Sequence, residues 1–160
     1  MRSLRLLAPA FAFLAACGGD GNTSGIPDVC NPLGGQTCLM PWPSSAFLVD
    51  DMSTATGYRL ALDPAAMPVN IDHRAIGVDV FNRWDGFAPS GPILALFPSG
   101  VSGDGLPHPD HPEQSLAADS PIVLLDMDRM ERAPFFAEID QNVRKVEDRA
   151  LIVRPLVRLH

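Results

Sequence analysis

Apolar and polar positions alternate with a period of two along several short stretches of this chain, and each stretch ends at a proline, glycine or aspartate. Residues 58–62 (YRLAL) alternate and stop at Asp63-Pro64, which predicts a short strand. Residues 92–97 (PILALF) and 121–125 (PIVLL) are compact apolar runs bounded by turn residues, the pattern of buried strands. Residues 134–139 set Phe135, Ala137 and Ile139 against Phe136 and Glu138, and residues 150–157 are apolar with Pro155 near one end, so two more strands are expected. Residues 72–84 satisfy both periods. Ile76, Val78 and Val80 alternate as in a strand, whereas Ile76, Val80 and Trp84 recur every four residues with Asp72 as a candidate N-cap. The helical reading is preferred there. Short strands, frequent turns and one short helix near 72–84 predict a mainly β protein, an antiparallel β-sandwich of immunoglobulin-like type. Its C-terminal edge is expected to be incomplete, because residues 156–160 (LVRLH) break off amid strand-like sequence without a turn.

Composition narrows the picture further. Hydrophobic residues make up 46% and charged residues 19%, which is too apolar for a disordered chain. The 16 Pro and 13 Gly leave little uninterrupted sequence for long helices and exclude a helical bundle. Acids outnumber bases 19 to 12, for a net charge of -7, and loss of Arg2 and Arg5 with an export signal would make it -9. That balance repels phosphate backbones, so no nucleic acid is expected as a partner.

The N-terminus predicts where the protein goes. Residues 1–17 have a basic start (Arg2, Arg5), an apolar run from Leu6 to Leu14 that is too short to span a bilayer, and the small-residue end Leu14-Ala15-Ala16-Cys17. That end resembles the lipobox of bacterial lipoproteins, which implies lipidation of Cys17 and a membrane partner held through that lipid. By analogy with enterobacterial sorting, Gly18 rather than an aspartate after the cysteine points to the outer membrane of the cell envelope. Residues 18–28 (GGDGNTSGIPD) read as a flexible tether, and residues 29–160 as one domain. With Cys17 acylated, Cys30 and Cys38 remain as an even pair in an oxidising compartment, which predicts a disulfide.

Catalytic and metal chemistry have few candidates. The nearest approach to a hydrolase nucleophile turn, G-x-S-x-G, is residues 100–104 (GVSGD), where Asp104 stands in place of the second glycine and Pro107 follows too soon for a helix. Ser102 is therefore read as a loop tip. Residues 104–113 (DGLPHPDHPE) gather the ligand types that zinc prefers, with His108, Asp110 and His111 as the candidate metal ligands. Three prolines keep the loop extended, however, so a solvated polar loop is the plainer reading and no cofactor is expected. Residues 126–131 (DMDRME) lack the glycine and full ligand set of a calcium loop and read as a charged hairpin turn. In residues 82–92 (NRWDGFAPSGP), Trp84 and Phe87 flank Asp85-Gly86, a turn anchored by aromatics. These two rings are the candidate binding residues, for carbohydrate or lipid if exposed and for core packing if not.

Five segments in order carry a wider resemblance: residues 41–45 (PWPSS), 82–93 (NRWDGFAPSGPI), 119–126 (DSPIVLLD), 134–140 (PFFAEID) and 149–155 (RALIVRP). Their order resembles the N-terminal immunoglobulin-like domain of bacterial virulence-factor-type lipases and related secreted α/β-hydrolase lipoproteins. The resemblance implies a non-catalytic accessory module that precedes a hydrolase, with the lipase or esterase domain itself absent from this sequence. No catalytic residue can be carried over, and the chain is expected to be a fragment of a longer protein with a downstream hydrolase as its partner. The alternative is a free-standing envelope binding or adhesion lipoprotein.

Overall fold

The structure, a computed structural model, describes residues 26–35 and 37–159. The lipobox with Cys17, residues 18–25 of the tether and His160 lie outside the described residues. Among the described residues, seven short strands build three antiparallel sheets. β1 (Leu48–Asp50) and β2 (Tyr58–Leu60) form a hairpin; β3 (Ile93–Ala95), β7 (Leu151–Pro155) and β6 (Phe135–Ile139) form a three-stranded sheet with β7 in the middle; β4 (Leu125–Asp126) and β5 (Glu131–Arg132) form a second hairpin. The protein is mainly β, as the alternation predicts, and its helical turns are short 3-10 segments such as Ser45–Phe47 and Pro112–Leu116. Among the described residues no helix is long and apolar enough to cross a membrane.

The three-stranded sheet follows directly from period-two patterning. Register pairs Ile93 with Val153 and Val153 with Ala137, so these side chains line one face together with Leu151, Phe135 and Ile139. Phe135, Ala137, Leu151 and Val153 are buried there, and Val101, Leu106, Ile122 and Leu124 pack against them from loops. Phe135 is fully buried, a contribution of about 1.5–3 kcal/mol from its side chain alone. Both sheet edges are covered. Trp42 pairs with Leu94 outside β3, and Ala137 donates its N–H to the Pro107 carbonyl outside β6.

A second core cluster gathers Phe47, Leu60 and Leu62 around the first hairpin, with Trp42, Phe81 and Phe87 packed on it. Trp42 joins the two cores, because its main chain belongs to the sheet while its ring lies in this second cluster. The Cys30–Cys38 disulfide closes the loop that leads to it. Within that loop the buried Asn31 donates from Nδ2 to the Pro41 carbonyl and accepts the Leu33 N–H at Oδ1. A buried amide is tolerated because both its ends are bonded.

Two expectations need correction. No helix forms over 72–84. The segment begins in a turn closed by the Val69–Ala75 bridge, with His73 at φ 57°, and continues through bonds from Phe81 and Asn82 to the Val78 carbonyl. Tertiary bonds to the hairpin at 56–62 take the place of a helical ladder, and Val80 is left half exposed instead of lining a buried stripe. Residues 121–125 are not a strand buried on both faces either. Only Leu125 enters a strand; Ile122 and Leu124 face the core while Val123 and Leu125 are exposed, because only one side of the extended segment meets a packed layer. Residues 126–131 do form a charged hairpin turn, in which Asp126 Oδ1 accepts the N–H groups of Asp128 and Arg129.

Candidate functional site

The aromatic turn predicted at 82–92 is held by four successive residues. Asn82 clamps Leu62, accepting its N–H at Oδ1 (2.8 Å) and donating from Nδ2 to its carbonyl (2.9 Å). The Arg83 carbonyl accepts from Arg59 Nη1 (3.0 Å), the Trp84 carbonyl accepts the Leu60 N–H (2.9 Å), and the Asp85 carbonyl accepts the Thr56 hydroxyl. A side-chain amide, a guanidinium, a main-chain N–H and a hydroxyl thus do the work of a strand ladder. Gly86, at φ 154°, then lets the chain turn toward Phe87.

The two rings of the turn take different roles. Phe87 faces inward and meets the Trp42 ring edge-on, with centroids 4.9 Å apart. Trp84 leans edge-on against Phe81 at 5.8 Å but stays 50% exposed. Beside it the C-terminal segment returns, where the Leu159 N–H bonds to the Pro89 carbonyl at 2.9 Å. The result is an open groove of about 980 Å³ lined by Thr56, Arg83, Trp84, Asp85, Phe87 and Arg158, among others. Arg83, Asp85 and Arg158 are exposed, and among the described residues none of their charged groups is paired.

One ion pair fixes the Arg59 side chain that holds this turn. Arg59 binds Asp51 through Nε (2.5 Å) while its Nη1 holds the Arg83 carbonyl. Asp51 also accepts the hydroxyl and the N–H of Ser53, and these bonds, the Ser53 hydroxyl first and Arg59 next, hold its pKa down at about 2. Thr56 and Arg158 went unmarked in the sequence as parts of a site. Arg158 stands far along the chain, and nothing local signals that it comes to line one groove with Trp84.

The remaining candidates are dispersed. His108 Nδ1 lies 3.4 Å from Asp110, and His111 Nδ1 lies 3.2 Å from Glu113, so each imidazole keeps to the carboxylate two residues on. Among the described residues no three His, Cys, Asp or Glu side chains converge as a ligand set. The loop has a plain structural task instead. The Pro107 carbonyl and the Ser115 hydroxyl both take main-chain N–H groups of β6, from Ala137 and Phe135. Ser102 is likewise occupied locally, donating to Asp104 Oδ2 (2.8 Å) and accepting the Asp104 N–H (3.1 Å).

No family model matches the chain, and no curated protein and no solved structure matches it.

Proposed function

We propose that this chain is a non-catalytic accessory module of a bacterial cell-envelope lipoprotein, immunoglobulin-like in fold, anchored through lipid on Cys17 at the outer membrane and positioning an attached α/β-hydrolase. What supports the reading is that the five segments of the resemblance, dispersed from 41 to 155, concentrate on and around one sheet. Trp42 bonds to Leu94, residues 82–93 run into β3, residues 134–140 contain β6 and residues 149–155 contain the central β7, while Ile122 and Leu124 pack on the same core. A set of short motifs that share one tertiary unit argues for a common domain rather than five coincidences.

The test is to read the gene past the codon for His160 and to label the expressed protein with an alkyne fatty acid. An in-frame G-x-S-x-G further on and label that disappears in Cys17→Ser are the expected results. A stop codon directly after His160 overturns the hydrolase partner, and label that persists in Cys17→Ser overturns the anchor.

A further inference from the structure

We propose that the groove beside Trp84 is a binding site for an acidic saccharide, with the indole under the apolar face of a sugar ring and Arg83 and Arg158 on its carboxylates. The position of Trp84 is the first argument. Its ring is half exposed although its backbone is pinned on either side by the bonds of Asn82, Arg83, Trp84 and Asp85 to the hairpin. A large apolar surface held out rigidly is pre-organised for a partner, because little freedom remains to be lost on binding.

Charge is the second argument. In a chain where acids outnumber bases 19 to 12, two guanidiniums with no ion pair among the described residues flank this one indole. Their planar forks match a carboxylate in two-point geometry. Arg158 also lines a neighbouring cleft of about 170 Å³, where Arg129 and Arg132 stand with Asp126 and Glu131, so the net cationic contact is confined to the groove at Trp84. The Asp85 carboxylate adds an acceptor for sugar hydroxyls, the mixture of one apolar platform and a few polar groups that small-molecule sites use. A purely apolar ligand would leave the two guanidiniums without a partner.

The proposal stands apart from the hydrolase reading, and neither fails with the other. Its test is titration of the full-length protein in detergent with tetragalacturonate, followed by tryptophan fluorescence and calorimetry. The sequence has two Trp, so Trp84→Phe assigns the optical change. Saturable binding is expected, with affinity about tenfold weaker in Trp84→Ala and in Arg83→Gln/Arg158→Gln, and falling with added salt. Arg158→Gln alone, an exposed substitution, guards against loss of the fold and is expected to weaken binding severalfold with unchanged thermal unfolding. Absence of saturable binding overturns the proposal. So does equal affinity for the uncharged galactose tetramer, displacement by inorganic phosphate at similar concentration, or tighter Trp84-dependent binding to vesicles of anionic phospholipid.

Discussion

The main chains of Trp42 and Leu94 exchange two hydrogen bonds, 2.8 Å from the Trp42 N–H and 2.6 Å from the Leu94 N–H. This single residue pair closes the β3 edge of the three-stranded sheet and carries the Trp42 ring into the other core, against Phe47 and Phe87. The ring, unlike the bonds, can be removed by substitution. Trp42→Ala is expected to cost about 3–5 kcal/mol in a urea unfolding curve, through lost burial and the cavity left between the clusters. A loss below about 1 kcal/mol would mean that the two cores are not joined through this ring.

Ser115 is buried and bonded twice, donating to the Pro112 carbonyl at 2.6 Å and accepting the Phe135 N–H at 3.1 Å. Phe135 is fully buried, so its N–H has no access to water. Ser115→Ala should therefore destabilise by about 1–3 kcal/mol despite its small change in volume. Amide exchange offers the local check, since the Phe135 N–H should lose protection more than that of Val153.

The disulfide constrains a short loop. Reduction, or the double substitution Cys30→Ser/Cys38→Ser, should lower stability by about 2–3 kcal/mol, mainly by freeing the unfolded chain. Gly34 in the same loop has no room for a side chain, because a Cβ would lie 2.5 Å from the Met40 carbonyl oxygen and 2.6 Å from that of Thr37. Gly34→Ala should cost about 1–3 kcal/mol. Thermal unfolding of the two variants with and without reductant separates the effects: only Gly34→Ala remains sensitive to reductant.

Acid should act on the Asp51–Arg59 pair late. Hydrogen bonds from Ser53 and then Arg59 lower the Asp51 pKa from 3.8 to about 2, so the carboxylate stabilises the folded state fully above about pH 4, and that contribution is lost as the pH falls through 2. Asp51→Asn should accordingly unfold at a lower temperature than the parent at pH 6, with the gap closing as the pH approaches 2. NMR titration of the Asp51 carboxyl carbon gives the direct reading, and a midpoint near 3.8 would contradict the geometry.

Much of the sheet was legible in advance because alternation is a local property. Phe135, Ala137 and Ile139 occupy one face of a strand whatever else the chain does, and the apolar run containing Leu151 and Val153 needed only a partner to become the centre of the sheet. Cys30 and Cys38, with a sequence separation of 8, form the disulfide expected of that pair. Where local signals were balanced, long-range bonds decided. Residues 72–84 fitted both periods, and the clamp of Asn82 on Leu62 with the bond from Leu60 to Trp84 selected turns instead of a helix.

The sequence by itself determined a mainly β chain, the alternating faces of its principal strands, the charged turn at 126–131 and a short disulfide loop. Only the tertiary structure decided which aromatic of the 82–92 turn is buried and which is presented, and that Arg158 comes to stand beside Trp84. The physical reason is range: patterning fixes which side of a strand is apolar, whereas exposure and charge proximity depend on which distant segments pack together, and no short window of sequence holds that information.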